Sequence, residues 1–264
     1  MGEVIVITSG KGGVGKTTTT ANLGSALALA GKSVVMMDAD IGLRNLDVAL
    51  GLQNHVVYDL VDVIEGKCRI RQALVRDKRY DKLYLLAASQ TRDKNAVTPQ
   101  QMQKLCTELK EQFDYVLIDC PAGIERGFLN AVAGADCAIV VTIAEYAAIR
   151  DADRIIGSLE EAGIAEKKLL INRMRSDLVK KGGMLSISKV VEMLAIPLIG
   201  VVPDDEHVLL AATVGNVAAA DKKSVAGVAF GNTALRLMGQ SVPLVGLLEK
   251  KQGILRRIFA GKRN

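Results

Sequence analysis

The sequence predicts an α/β protein of three layers, with a mostly parallel sheet of about seven or eight strands and helices on both faces. Three observations predict it. Apolar runs of strand length recur between longer helical stretches along the chain. Those runs are continuous in Val, Ile and Leu rather than alternating, as strands buried on both faces must be. Regular strand–helix alternation makes a parallel sheet joined by right-handed crossovers the natural connection.

Taken in order, the strand runs are VIVIT at 4–8, SVVMMD at 33–38, LYLLA at 83–87, YVLID at 115–119, CAIVVT at 137–142, KLLIN at 168–172 and LIGVV at 198–202. Helical patterns lie between them at 17–30, 98–111, 127–133, 149–162, 188–194 and 224–237. A chain of 264 residues of this class forms one domain with tails. The domain is expected over 1–238, a linker with Gly239, Pro243 and Gly246 over 239–249, and a separate terminal segment over 250–264. With 3% aromatics and no Trp, the core must be built from Val, Ile, Leu and Ala.

Composition excludes several classes. No stretch approaches the roughly 18 consecutive apolar residues of a spanning helix, and the first residues lack the layout of a secretory signal. Cys68, Cys106, Cys120 and Cys137 are irregularly spaced without a CxxC pair, which points to reduced, packed thiols rather than a metal site. The net charge of +5 is concentrated in the last fifteen residues, which carry +6 and no acid. A local anionic partner fits that placement better than a surface that binds nucleic acid throughout.

The segment GKGGVGKT, Gly10 to Thr17, matches the phosphate-loop pattern G-x-x-x-x-G-K-[ST] between a strand and a helix. Glycines allow close backbone approach, so the amides of Gly10, Lys11, Gly12, Gly13, Val14 and Gly15 can form an anion nest. The following helix adds its positive end. Lys16 is placed to reach β- and γ-phosphates, Thr17 to ligate magnesium, and Thr18 to complete the cradle. The pattern therefore implies a P-loop NTPase fold that binds a nucleoside triphosphate with Mg²⁺.

Asp38 and Asp40 end the second strand in MMDADIG, and Asp119 ends a later strand in VLIDCPAGI. Carboxylates at the carboxyl ends of strands share the edge at which the phosphate loop opens, so they can reach the metal directly or through water. On chemical grounds Asp40 and Asp119 can exchange roles.

Lys11 adds a second lysine that an ordinary phosphate loop does not need. With it, the loop resembles the deviant Walker A motif, KGGxGK[ST], of the ParA/MinD P-loop ATPases. The stretches DADIGLRNLDVALG at 38–51, ASQTRDK at 88–94, CPAGIERG at 120–127, IRDADRI at 149–155 and GVVPDDEHVLLA at 200–211 resemble the MinD family in particular, in family order over nearly the whole chain. The resemblance implies an ATP hydrolase dependent on Mg²⁺. In it, Lys11 reaches across a homodimer to the partner's phosphates, Asp40 positions the attacking water, and Thr17, Asp40 and Asp119 serve the metal. It also implies a base site at Asn172, Arg173, Pro203 and Asp204, with Asp205 beside it, an Asn there favouring ATP over GTP. Asp151 matches the aspartate near which the lysine rests before dimerisation. One departure is Ile143-Ala144-Glu145, where the family usually has a proline-containing turn; its loss is expected to loosen the turn near the partner-binding surface.

In KKQGILRRIFAGKRN, 250–264, Ile254, Leu255, Ile258 and Phe259 fall on one helical face, with Arg256 and Arg257 on the flanks and back. Such a basic amphipathic segment reads as a reversible anchor lying on an anionic membrane. Burying four apolar side chains yields roughly 6–10 kcal/mol and each base near anionic lipid about 1 kcal/mol. Ordering the backbone costs about 1–2 kcal/mol per residue. These terms nearly cancel, so one tail binds weakly and two on a dimer gain by avidity. The family resemblance then implies a cytoplasmic switch, peripheral on the inner membrane, that regulates placement of the division septum. Its implied partners are a MinC-like division inhibitor and a MinE-like or other ATPase activator. The alternative is a ParA-type ATPase of DNA partition, for which Lys67, Arg69, Arg71, Arg76, Lys78, Arg79 and Lys82 are the best basic cluster, diluted by Asp77 and Asp81.

Overall fold

The computed structural model describes residues 1–93 and 96–244. The tail residues Ile254, Leu255, Arg256, Arg257, Ile258 and Phe259 lie outside the described residues, as does the linker beyond Leu244. The strands are β1 Glu3–Thr8, β2 Val34–Asp38, β3 Val75–Arg76, β4 Leu83–Leu86, β5 Tyr115–Asp119, β6 Cys137–Ile143, β7 Glu166–Met174 and β8 Leu198–Pro203. They form one eight-stranded sheet in the order β3-β4-β2-β5-β1-β6-β7-β8. All neighbours are parallel except β3 and β4, an antiparallel edge pair.

The helices are α1 Lys16–Leu29, α2 Leu46–Ala49, α3 Leu60–Ile64, α4 Ile70–Ala73, α5 Pro99–Lys110, α6 Arg126–Val132, α7 Tyr146–Glu161, α8 Ser176–Lys180, α9 Ile187–Leu194, α10 Glu206–Thr213 and α11 Val225–Leu237. Alternate residues of each strand feed two cores, because successive side chains point to opposite faces. Val4, Val6, Val116 and Ile118 pack with α5, α6, α7 and α9. Ile5, Ile7, Met36 and Leu117 pack with α1 and α11, where Phe230 is fully buried. The three-layer fold expected from the sequence is the fold observed.

The differences have simple causes. Helix α7 starts three residues before the predicted 149, because its first two residues, Tyr146 and Ala147, are exposed and the buried face begins only at Ala148. Helix α10 has no buried residue, and its Leu209 and Leu210 face outward. It therefore lacks the one-sided pattern by which helices are recognised. Strand β3 has two residues, and α2, α3, α4 and α8 have four or five, too few to show a period. The Ile143–Tyr146 turn is tied despite lacking proline: the Glu145 N–H donates to the Ile143 carbonyl at 2.8 Å, and the Leu185 N–H to that of buried Ala144 at 3.0 Å. The four cysteines are free, and burial pushes the thiols of Cys106, Cys120 and Cys137 up to about 12.

Two side chains fix the C-terminal part of the domain. Arg236, in the last turn of α11, donates to the carbonyls of Val242 at 2.8 Å, Pro243 at 2.6 Å and Ile199 at 2.8 Å. It thus folds the chain after Gly239 back along the start of β8, and Leu244 packs on the core. Asp205, with a side chain 5% exposed, joins α10 to α11. Its carboxylate accepts from the His207 N–H at 3.0 Å, the Ser224 hydroxyl at 2.7 Å and the Ala226 N–H at 3.0 Å. Burial pushes its pKa up, but these bonds and one from the His207 ring outweigh it and hold the group below the usual carboxylate range.

Because its folded value is depressed, the stabilisation from Asp205 is present above the ordinary carboxylate value and lost as pH falls below it. Asp205→Ala is expected to cost about 1–3 kcal/mol at pH 7. The gap to wild type should narrow below about pH 4 in denaturant titrations; a gap that is constant with pH would contradict this account.

Candidate active site

The site lies at the carboxyl ends of β1, β2 and β5, where the phosphate loop passes from Thr8 to α1. Two of its glycines are required by their neighbours. A Cβ on Gly10 would stand 2.0 Å from the Asp151 carbonyl oxygen on α7. Gly15 has φ +96°, and a Cβ there would stand 2.4 Å from Asn172 Nδ2. Around Gly12 and Gly13 an added Cβ would meet nothing within 4 Å, so no neighbour crowds the middle of the loop.

The loop is held from within. The Ser9 hydroxyl donates to the Lys11 carbonyl at 2.8 Å, and Lys16 Nζ donates to Ser9 Oγ at 3.0 Å. Buried Asn172, from β7, donates through Nδ2 to the Val14 carbonyl at 2.8 Å, and its Oδ1 accepts from the Arg173 N–H at 2.9 Å. Arg173 adopts φ +51° where the β7–β8 register shifts. Asn172 thus braces the loop from below, a role that sequence spacing could not reveal. Pro203 ends β8, and exposed Asp204 follows, its N–H donating to the Met174 carbonyl at 3.1 Å.

Asp38 and Asp119 stand opposite each other in the β2–β5 register, and both are buried. Asp38 accepts from the backbone N–H groups of Asp40 at 2.9 Å, Asn45 at 3.0 Å and Leu46 at 3.1 Å. It therefore shapes the loop carrying Asp40 and caps the entry to α2. The Thr20 hydroxyl lies 3.2 Å from Asp119 Oδ1 and 3.1 Å from the Lys16 carbonyl. Desolvation pushes Asp119 up to about 7, with a further rise from Asp38, against lowering by Thr17, Lys16 and Thr20. Desolvation likewise pushes Asp38 up to about 6 against its three amide donors. Thr20, Ser9 and Asp38 are the site residues that motif reading gave no part in the loop's architecture. Asp38 was flagged by its place at a strand end, and Thr20 could have been by its position one helical turn after Lys16; nothing local marks Ser9.

This donor set fits a hard cation. The Asp119 carboxylate stands beside the Thr17 hydroxyl, and no cluster of three or more His, Cys, Asp or Glu forms among the described residues. Magnesium bound with phosphates and water needs no more protein than this. Half-buried Asp40 lies close enough to Asp38 and to the Cys120 thiol for its charge to act on both. Lys11 is placed differently from Lys16: its side chain is 45% exposed, and its Nζ lies 3.9 Å from Glu145 Oε2 at the start of α7. Asp151, expected as its resting neighbour, packs against Gly10, the residue before Lys11.

Comparison with known proteins places this geometry. A family model described as an AAA domain matches residues 2–171. The chain is 56% identical to the septum site-determining protein MinD of Bacillus subtilis (strain 168), over 100% of both chains. It superposes on the MinC:MinD cell division protein complex of Aquifex aeolicus with a TM-score of 0.86 at 47% identity, covering 92% of this chain and 98% of that one. Septum site-determining protein MinD complexed with Mg-ADP, from Pyrococcus horikoshii OT3, superposes with a TM-score of 0.81 at 30% identity, over 90% of this chain and 96% of that one. The phosphate loop, the paired carboxylates and these likenesses together make the chain a P-loop ATPase, and it belongs to the MinD family of septum site-determining proteins.

Proposed function

We propose that this ATPase is a switch that dimerises with ATP, attaches reversibly to the cytoplasmic face of the inner membrane through residues 250–264, and so regulates division-site placement. The observation that carries the reading is the contrast between the two lysines of the loop. Lys16 is folded against Ser9 inside the cradle, whereas Lys11 stands exposed at its mouth with one long ion pair to Glu145. An ion pair of this kind, exposed on both sides, is worth little, so Lys11 is free to move to a partner's phosphates at small cost. Positive charge delivered there acts as an arginine finger does.

Within one site, Lys16 and the amides of Gly10, Lys11, Gly12, Gly13, Val14 and Gly15 hold the phosphates, with Thr18 beside them. Thr17, Asp40 and Asp119 serve the Mg²⁺ site, and Asp40 orients the attacking water. Magnesium, when bound, supplies charge to the phosphoryl oxygens. Asn172, Arg173, Pro203 and Asp204 flank the base; the second amide hydrogen of Asn172 remains for an adenine acceptor, which favours ATP. That a relative is solved with Mg-ADP supports the nucleotide and metal assignments. That another is solved as a MinC:MinD complex supports a MinC-like division inhibitor as partner, and a MinE-like or other activator follows from the same reading.

No helix among the described residues is long and apolar enough to cross a membrane, so attachment falls to the tail. Two members of the basic run offered for the DNA-partition alternative are held by acids: Lys67 is paired with Asp62 and Glu65, and Arg79 with Asp77. No nucleic-acid partner is expected.

Three measurements test the reading. Lys11→Ala should lose at least about tenfold of the ATPase activity measured with anionic vesicles; full vesicle-dependent activity would remove its role across the dimer. Co-sedimentation with phosphatidylglycerol vesicles should be stronger with ATP than with ADP and abolished by Phe259→Glu, whereas equal binding in both states would contradict the switch. Asp119 has a raised folded value, so it costs the ligand-free protein stability as pH rises from about 4 through 7. Asp119→Asn should therefore be more stable than wild type without ligand at pH 8, on the order of 1–3 kcal/mol, yet gain no further stability from Mg²⁺ added with ATP. Thermal denaturation with and without Mg-ATP reads both effects.

A further inference from the structure

Two segments that frame the site on opposite sides meet again behind it. Helix α2 follows the Asp40 loop and gives way to Gly51; α10 follows Asp204 and gives way to Gly215. A Cβ on Gly51 would stand 2.7 Å from the Gly215 carbonyl oxygen, and one on Gly215 would stand 2.6 Å from Gly51 Cα. The two backbones are therefore in direct contact, with no space for a side chain between them.

Arg79, from the turn between β3 and β4, closes this junction. Its Nη2 donates to the Leu50 carbonyl at 2.6 Å, and its Nη1 donates to the Gly215 carbonyl at 2.7 Å. Asp77, whose side chain is 2% exposed, orients the guanidinium, accepting from Nε at 2.9 Å and from Nη2 at 2.6 Å. These carbonyls end short helical segments, where backbone acceptors lack partners of their own. A planar fork can serve two carbonyls and a carboxylate at once; an ammonium, a single point of charge, cannot hold that geometry.

The near ends of the same segments are also fixed. Asp38 holds the amides of Asp40, Asn45 and Leu46, so the loop and α2 move together. Asp205 caps α10 directly after Asp204. A continuous path thus runs from Asp204 along α10, a helix about 12 Å long, through Arg79 into α2 and the Asp40 loop.

We propose that Arg79 is a positioning residue that couples the base-contacting loop at Pro203–Asp204 to the loop carrying Asp40, so that the identity of the base is read in turnover as well as in binding. The inference rests on the roles given above to Asp40 and Asp204. A purine that seats the 203–205 loop correctly sets α10, and α10 sets α2 through the shared guanidinium. A purine that seats it poorly leaves Asp40 displaced, and a displacement of about 1 Å far from the chemistry can cost a hundredfold in rate.

Steady-state hydrolysis of ATP and of GTP by wild type, Arg79→Lys, Arg79→Gln and Asp77→Asn tests this, each assayed well below its own measured Tm. Arg79→Gln and Arg79→Lys should lose about ten- to a hundredfold in kcat for ATP, with a smaller change in KM. Their preference for ATP over GTP should shrink by about fivefold or more, and Asp77→Asn should move in the same direction. Variants with a lowered Tm but the wild-type kcat and ATP-to-GTP ratio would make Arg79 a brace for the fold alone and overturn the proposal. Asp40→Asn and the wild-type ratio report on the underlying reading separately. Full turnover by Asp40→Asn would overturn the role of Asp40, and equal use of GTP and ATP by wild type would overturn that of the base loop. Either result would remove one end of the coupling independently of the Arg79 kinetics.

Discussion

Two carboxylates buried side by side at the ends of β2 and β5 govern how this protein is arranged. Asp38 and Asp119 face each other in register with almost no access to water, where charge is expensive unless hydrogen bonds or opposite charge offset it. Asp38 is satisfied by three backbone amides, and the loop that supplies them is thereby given its shape. Asp119 is satisfied by hydroxyls of α1, which ties the first turns of that helix to β5. Lys16 lowers the cost further. The phosphate loop, the Asp40 loop and the central strands are therefore locked together by the same requirement: to keep two like charges tolerable in a dry place. A divalent cation completes such an arrangement; it does not have to build it.

The sequence disclosed those parts whose physics acts over a few neighbouring residues. The strands showed as unbroken Val and Ile runs because both faces of a parallel sheet are covered. The phosphate loop showed because an anion nest needs glycines, a lysine and a hydroxyl at fixed short spacing. Lys11 was visible as one residue too many for that purpose. Helix α10 was not visible as a helix, since it buries nothing. The brace from Asn172 to the loop was hidden because its partners are 158 residues apart. Arg79 was legible only as one charge in a basic run, since its carbonyl partners lie 29 and 136 residues away. Its meaning came from what it touches, and the same contacts withdraw its charge from that run.

Family likeness and geometry contribute different things. The likeness supplies the class of reaction and the division-site context. The geometry shows how this chain holds each participating group. Asn172 is already committed to the loop backbone, and the turn at Ile143–Tyr146, which lacks proline, is secured by backbone bonds instead.

The clamp at Arg236 decides where the chain leaves the domain. It secures Val242 and Pro243 beside Ile199, where β8 begins, whereas the phosphate loop opens at the opposite rim of the sheet. Six residues of β8 separate those rims by about 20 Å. The departing chain is thus moored at the rim remote from the chemistry, and α11, which carries Arg236 and packs in one core with α1, is the element that spans the distance between them.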